Sequence, residues 1–411
     1  MIELTSEQRR VIADAKAWFR SSTSDQVFEI SGMAGTGKSV VLQAIVQELH
    51  LDEEEYAACA YTGAAALVMR KKGFPKASTL HSLLYQYVVK RNRDGSKFAK
   101  FVPKETDLFL RLIIVDEAGF CDQNIKRDLL NACDKILVAG DTRQLPPIVE
   151  GPPAFFTNPD KIHYLTKIMR QNENSAIIQL ANSLLRGQHL RVGNYGDVIV
   201  IPRSEFDKNM PALIKSYGII LCGTNNTKEK INSIVRKDIL RYTNPLPQIK
   251  ERIINRKNLW DIICEGIPLV NGLIGTVIRS SSFVYEGDYL VDFKADFMDS
   301  VFREVRADYS YLVADPSEKR KMKSLNAFSN PTSAKFEYAY ACTTHVAQGS
   351  QFESGIYIEE YFPKISKNLY YTGLTRFSQR ALYVIPDRKV YVPNNVDWPR
   401  GDKLIPVPKA N

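Results

Sequence analysis

The sequence predicts an α/β fold of two parallel-sheet domains with a small all-β insertion, and three observations carry that reading. A strand-like run of Val27, Phe28 and Ile30 enters the loop Gly32-Met33-Ala34-Gly35-Thr36-Gly37-Lys38-Ser39, and a helical pattern from Val40 through Val41, Leu42, Ile45, Val46 and Leu49 follows. Strand-like and helical patterns alternate after this unit and resume beyond Gly151-Pro152-Pro153, the grammar of a parallel sheet covered by helices. Between residues 243 and 336 the pattern changes to short alternating strands punctuated by Pro245, Pro247 and Pro268. At 411 residues the chain is too long for one core.

In chain order, the first domain takes strands from residues 27–30, 56–61, 112–115 and 136–139, and helices from 39–50, 63–70 and 123–132. Each strand is a short apolar run bounded by turn residues, and each helix repeats its apolar positions at three and four. This domain spans 1–84 and 105–165. A hairpin at 85–104 interrupts it, with Asp94-Gly95 as the turn. The second domain spans 166–242 and 337–390, with helices over 175–186, 227–242 and 367–375 and strands over 219–222, 338–343, 355–358 and 381–385. The β-rich insertion at 243–336 belongs to this second domain by chain order and has strands at 275–279, 289–293 and 302–305. Residues 391–411 form a proline-rich tail.

Composition narrows the function classes. With 44% hydrophobic and 25% charged residues, and no apolar run of membrane length, the chain reads as a soluble globular protein without a membrane partner. The N-terminus lacks a signal-peptide layout. Cysteines at 59, 121, 133, 222, 264 and 342 form no C-x-x-C pair, so they read as reduced thiols of a cytoplasmic protein. Lys and Arg number 55 against 46 for Asp and Glu, a net charge of +9 that favours polyanionic partners.

The loop at 32–39 matches G-x-x-x-x-G-K-[ST] in the strand–loop–helix context that gives the motif its meaning. Its glycines let successive N–H groups face phosphate oxygens, and the helix N-terminus adds the positive end of its dipole. Lys38 reaches the β- and γ-phosphates, and the Ser39 hydroxyl holds Mg²⁺. The run Ile113-Ile114-Val115-Asp116-Glu117 is a strand ending in two acids. Behind a phosphate loop, Asp116 is assigned to magnesium and Glu117 to the general base that activates water. After the strand at 136–139 comes Gly140-Asp141-Thr142-Arg143-Gln144-Leu145-Pro146-Pro147, which presents Gln144 to the γ-phosphate and the attacking water.

Taken together and in order, these segments resemble a superfamily 1 helicase of the 5′-to-3′ branch that includes RecD and the Dda helicase of T-even phages. Leu4-Thr5-Ser6-Glu7-Gln8 resembles the glutamine motif, which implies that Gln8 reads the adenine edge. Ala60-Tyr61-Thr62-Gly63-Ala64-Ala65 and Ala77-Ser78-Thr79-Leu80-His81 resemble the DNA-backbone motifs of the first domain. Met169-Arg170-Gln171 and Tyr370-Tyr371-Thr372-Gly373-Leu374-Thr375-Arg376 resemble the motifs whose arginines, here Arg170 and Arg376, stabilise the γ-phosphate in the transition state. Thr343-Thr344-His345 resembles the DNA-coupling motif of the second domain. The match runs from residue 4 to 380. It departs at Val346 where Lys is common, at Gly119 where Ser is usual, and at Phe377-Ser378 after Arg376.

The resemblance implies two RecA-like domains, a pin-like hairpin in the first and an SH3-like insertion in the second. It also implies an ATP- and Mg²⁺-dependent enzyme that unwinds forked DNA from a single strand, in replication or recombination. Its ATP contacts are Gln8, Gly32, Met33, Ala34, Gly35, Thr36, Gly37, Lys38, Ser39 and Val40. Its strand contacts are Thr62, Gly63, Ser78, Thr79, His81, Thr224, Asn225, Thr343, Thr344 and His345, with Phe98 and Phe101 as alternative pin tips among basic residues. His81 and His345 fit a strand contact and a satisfied structural histidine equally well. A monomer working with a single-strand-binding or replisome protein is expected, in a bacterial host cytoplasm if phage-encoded. The rival reading is a RecD-like subunit that grips DNA without much motor activity. A small-molecule kinase leaves the second α/β half unexplained.

Overall fold

The computed structural model describes residues 4–22, 25–91, 97–104, 110–145, 153–169, 175–315, 317–319, 322 and 332–387. The chain divides into two compact units, 1–172 with 243–339 and 173–242 with 340–411.

The first unit is organised on a six-stranded parallel sheet in the order β3-β2-β6-β7-β1-β8. Its strands are β1 (Val27–Gly32), β2 (Tyr56–Ala60), β3 (Ser78–Thr79), β6 (Leu112–Asp116), β7 (Ile136–Gly140) and β8 (Ile162–Leu165). Strand β6 shows why such runs are apolar at every position. Leu112 and Ile114 enter one buried layer with Val41, Leu42 and Ile45 of α2 (Lys38–Leu49), while Ile113 and Val115 enter the other with Ile125 and Leu129 of α5 (Gln123–Ala132). Both faces are covered, so alternation disappears. Because β1 sits between β7 and β8, and β7 beside β6, the carboxyl ends of β1, β6 and β7 open on one edge. That edge is where ligands bind in open parallel sheets.

Helix α1 (Ser6–Arg20) precedes the sheet and starts with a capping box formed by Thr5 and Gln8. Helices α3 (Gly63–Lys71) and α4 (Leu80–Leu84) follow β2 and β3. A two-stranded hairpin, β4 (Tyr85–Arg91) with β5 (Lys97–Pro103), leaves α4 in the register Tyr85↔Pro103 to Arg91↔Lys97. The Tyr85 hydroxyl donates to Asp128 Oδ2 of α5 at 2.6 Å and ties down the hairpin base. The expected turn at Asp94-Gly95 lies outside the described residues.

The β-rich stretch folds as a five-stranded antiparallel sheet, β17-β16-β15-β12-β18. It comprises β12 (Arg252–Asn255), β15 (Ile274–Ser280), β16 (Asp288–Ala295), β17 (Phe302–Asp308) and β18 (Phe336–Tyr338), with a ribbon of β13 (Leu259–Cys264) and β14 (Ile267–Leu269) beside it. Chain order attaches this stretch to the second domain; packing corrects that and groups it with the first unit. The reason is apolar burial: Val270 and Leu273 share a core with Ala65, Ala66 and Leu67 of α3. A Cβ at Gly63 would come within 2.6 Å of Val270 Cγ2, so the close approach requires glycine there.

The second unit repeats the parallel pattern in the order β19-β11-β20-β21-β10-β9. These strands are β9 (Gly193–Asn194), β10 (Val198–Pro202), β11 (Ile219–Cys222), β19 (Ala341–Thr343), β20 (Phe352–Ile358) and β21 (Phe377–Ile385), and only the edge strand β9 runs antiparallel. Helices α6 (Ala176–Leu185), α7 (Arg203–Tyr217), α8 (Asn225–Ile234) and α10 (Ser366–Leu374) accompany it, α9 (Tyr309–Val313) being a short helix of the first unit. Two expectations need correction. The helix at 227–242 starts two residues earlier, where Thr224 caps it, and turns into a π-helical segment at Val235–Ile239. The strand expected at 338–343 is two strands, β18 and β19, which belong to different sheets and different units.

Candidate active site

Strand β1 ends at Gly32, where a Cβ would lie 2.6 Å from Thr36 Oγ1 and 3.0 Å from Leu165 Cβ. The loop then curls through Gly35 and Gly37, both at positive φ (83° and 81°), a conformation that favours glycine. Thr36 is fully buried and donates through its hydroxyl to Met33 O at 2.8 Å. Met169 N–H donates to Gly35 O at 3.0 Å, which fastens the loop from the outside. Helix α2 begins at Lys38 with Gly37 as its N-cap and no side-chain cap, and carries Ser39 and Val40 in its first turn. Lys38 Nζ donates to Gly32 O at 2.6 Å and Met33 O at 3.3 Å, which holds the ammonium within the ring of the loop. Met33, Ala34 and Gly35 complete that ring.

Gln8 reaches the same loop from α1 and is buried. Its Oε1 accepts from Thr5 N at 3.0 Å, and its Nε2 donates to Thr36 O and to Met169 Sδ, each at 3.0 Å. The amide expected to read adenine braces the loop through these bonds. A Cβ at Gly37 would meet Gln8 Nε2 at 2.5 Å, so glycine at 37 also makes room for this brace.

Asp116 ends β6, and Glu117 after it holds a left-handed backbone, φ 53° and ψ 39°. A non-glycine residue there costs on the order of 1 kcal/mol, and such strain concentrates at functional sites. Glu117 N–H donates to Asp116 Oδ1 at 2.9 Å, and the 3₁₀ turn Ala118–Phe120 follows. At Gly119, the departure from the family pattern, an added Cβ would meet nothing within 4 Å.

The neighbouring strand β7 delivers Asp141 and Gln144, both buried. Asp141 Oδ1 accepts from Arg143 N at 3.0 Å, Gln144 N–H donates to Asp141 O at 3.2 Å, and the Thr142 and Ser31 hydroxyls lie 3.4 Å apart. Gln144 Oε1 is buried without a hydrogen-bond partner among the described residues. A buried acceptor without a partner costs free energy, so this oxygen is poised for a donor that the described residues do not supply. Pro146 and Pro147 lie outside the described residues, and so does Arg170. Arg376, in the second unit, is buried and donates through Nε to Thr372 O at 3.2 Å and through Nη1 to Ser350 O at 3.4 Å.

The expected strand contacts fall at helix starts and strand ends. Thr62 caps α3 through Ala65 N, Thr79 caps α4 through Ser82 N at 3.1 Å, and Thr224 caps α8 through Thr227 N. Ser78 precedes Thr79 on β3. Thr224 is also bound to Glu360, which accepts from Gly223 N, Thr224 N and Thr224 Oγ1 at 2.7, 2.9 and 3.0 Å. Asn225 is exposed in the first turn of α8. Thr344 is fully buried and donates through N–H and hydroxyl to Cys222 O, while Thr343 ends β19 and His345 follows it, half-buried. Phe98 and Phe101 lie on β5. Glu360 is the residue that reading by sequence missed; its partners are distant in the chain, and no local pattern marks it.

His81 stands in an aromatic group, with ring centroids 5.9 Å from Tyr61, 5.7 Å from Tyr85 and 5.9 Å from Trp260. Burial holds its imidazole below the ordinary value of 6.5. The folded state therefore binds this proton less readily than the unfolded chain. Its contribution to stability is complete above about pH 6.5 and is lost as pH falls from there through the folded-state pKa. His81→Phe is expected to flatten the fall in melting temperature between pH 7.5 and 5; an unchanged acid limb refutes this.

Residues 3–201 match a family described as an AAA domain. The chain is 25% identical over 388 residues to the ATP-dependent RecD2 DNA helicase of Deinococcus radiodurans, covering 91% of this chain and 48% of that protein. It is 27% identical over 234 residues to the ATP-dependent DNA helicase dda of Enterobacteria phage T4, covering 51% of this chain and 52% of that protein. The chain thus spans about half the length of the curated relatives it matches. Among solved structures, a Bacteroides Pif1 bound to single-stranded DNA superposes with a TM-score of 0.55 at 16% identity, over 96% of this chain and 95% of that one. The mixed α/β fold with parallel sheets is shared with that structure. Among the described residues no helix is long and apolar enough to cross a membrane.

Proposed function

We propose that this chain, whose motifs resemble those of the RecD and Dda helicases of superfamily 1B and whose relatives include such helicases, is an ATP-hydrolysing motor that moves 5′ to 3′ on single-stranded DNA and opens duplex at a fork. The observation that carries the reading is the convergence at one sheet edge of three parts: the Lys38 loop, the strained Asp116-Glu117 turn and the Gln144 amide, whose Oε1 is buried without a partner among the described residues. Glu117 accepts the proton of the attacking water, and Gln144 orients that water against the γ-phosphate. Arg170 and Arg376 keep the role that the resemblance gives them, supplying positive charge to the transition state.

Mg²⁺ fits one hydroxyl and one carboxylate, Ser39 and Asp116, because this ion keeps waters and shares phosphate oxygens rather than needing a full protein cage. Among the described residues no cluster of three or more His, Cys, Asp or Glu is placed to bind a metal, and in this reading the nucleotide's phosphate oxygens and waters would supply the remaining ligands. When bound, it neutralises charge developing on the β- and γ-phosphate oxygens. The DNA grips are the capped helix starts at Thr62, Thr79 and Thr224, with Gly63, Ser78, Asn225 and the Thr343–His345 turn. In this reading the β4–β5 hairpin is a pin at the fork, carrying Phe98 or Phe101 as its stacking residue, and the five-stranded sheet is an SH3-like module. Free thiols, five of six buried, suit a reducing cytoplasm. The core acts as a monomer, alongside a single-strand-binding or replisome protein.

Single-stranded DNA is expected to raise the ATPase rate at least tenfold, measured by steady-state phosphate release. An unstimulated rate refutes the motor. A forked duplex with only a 5′ tail is expected to be unwound and one with only a 3′ tail left intact; the reverse overturns the polarity.

A further inference from the structure

Residues 153–156, just after the Gln144 loop, are tied to three elements of the site at once. Phe156 adopts φ 61°, a conformation rare and costly for an aromatic residue. Its N–H donates to Glu29 Oε2 at 3.1 Å, and Glu29 lies on β1, three residues before the phosphate loop. Glu29 is buried in a place that raises its carboxyl pKa, and the Phe156 N–H is the foremost group opposing that rise. Two carbonyls of the same segment accept from α5, the helix that follows Asp116-Glu117: Pro153 O from Gln123 Nε2 at 2.9 Å, and Ala154 O from Lys126 Nζ at 2.8 Å. The Lys126 ammonium also sits 5.1 Å from the centre of the Phe155 ring.

The tie ends on Gly140, the last residue of β7. A Cβ there would stand 2.8 Å from Phe156 Cε2 and 3.0 Å from Cζ, so the ring lies flush on the Gly140 backbone. Asp141 and Gln144 leave the sheet from that point. A loop that starts on a rigid aromatic ring has its height over the sheet edge set by that ring. The strain at Phe156 is retained because Glu29 and α5 over-determine it.

We propose that Phe156, clamped by Glu29 and seated on Gly140, is a positioning residue that sets the reach of Gln144 toward the γ-phosphate. This deepens the nucleotide-site reading and rests on it. Phe156 acts through Gly140 and touches no reacting atom. What it controls is the discrimination between nucleotides with and without a γ-phosphate.

The test measures dissociation constants of Mg-ATPγS and Mg-ADP for the full chain by calorimetry, with melting temperatures alongside. Phe156→Ala is expected to shrink the preference for ATPγS over ADP by about tenfold, and Gly140→Ala, which pushes a methyl into the ring, to do the same. The double variant is expected to be no worse than either single one, because the two changes act on one contact. Glu29→Gln, which keeps an acceptor for Phe156 N–H, is expected to retain the preference that Glu29→Ala loses. Equal weakening of both nucleotides, multiplying effects in the double variant, or identical Gln and Ala variants at 29 overturns the proposal and marks a structural role alone. The motor reading fails separately: unsubstituted protein that binds both nucleotides but is not stimulated by single strands refutes the motor, and the ATPγS preference still judges Phe156. Protein that binds neither nucleotide overturns both.

Discussion

Lys38→Ala is expected to lower kcat for ATP hydrolysis by about a thousandfold or more. The expectation follows from how the side chain is held. Its ammonium lies inside the ring of the loop, bonded to Gly32 O at 2.6 Å and Met33 O at 3.3 Å, so its charge is fixed before any phosphate arrives. Preorganised charge of this kind stabilises a transition state without a reorganisation cost, which is why its loss weighs more than that of a surface lysine. Removal also leaves the Gly32 and Met33 carbonyls without this donor. Lys38→Arg is expected to fail as well, since a planar fork does not fit where a compact ammonium sits between two carbonyls. Phosphate release with saturating single strands is the measurement, and a loss under tenfold removes Lys38 from the mechanism.

Glu117→Gln is expected to lower kcat by about 10²- to 10⁴-fold while changing nucleotide affinity little, because the amide keeps the shape and loses only the basic oxygen. The strained backbone supplies a second and opposite readout. Glu117 holds φ 53°, so Glu117→Gly relieves the steric cost of a Cβ in the left-handed region and should raise stability by roughly 0.5–1 kcal/mol. Activity should fall in both variants, whereas the melting temperature should rise only in the glycine one. A catalytic residue that trades stability for position behaves in this way. Retained hydrolysis in Glu117→Gln assigns the base elsewhere.

Much of this site is legible in the sequence because its parts are local. The phosphate loop needs glycines at fixed offsets, and Gly35 and Gly37 take the positive φ values that demand them. The strands under the site are buried on both faces, so they read as unbroken apolar runs such as Leu112 to Val115. What stayed hidden depends on partners far away in the chain. Nothing near Gln8 announces that its amide will brace Thr36, and nothing near Glu360 announces Thr224. Helix α7 carries Pro211 in its interior, a residue that masks helical patterns, and the break at Ala339-Tyr340 falls inside one continuous apolar stretch. Chain order places the β-rich module with the second domain, whereas its affiliation is decided by where Val270 and Leu273 find apolar neighbours.

That last feature has a consequence for how the molecule is made. Helix α3 completes its buried face only with Val270 and Leu273, about two hundred residues downstream of Gly63. A ribosome adding 5–20 residues per second emits residue 172, then needs roughly 5–20 s more to reach residue 273. Through that interval α3 can pack on β2 and β3, but its face toward Val270 and Leu273 waits uncovered, while the second unit also waits for β19, β20 and β21. Neither half can finish before the other has begun, so the two mature together late in synthesis, and a chain released early at residue 242 leaves both cores open.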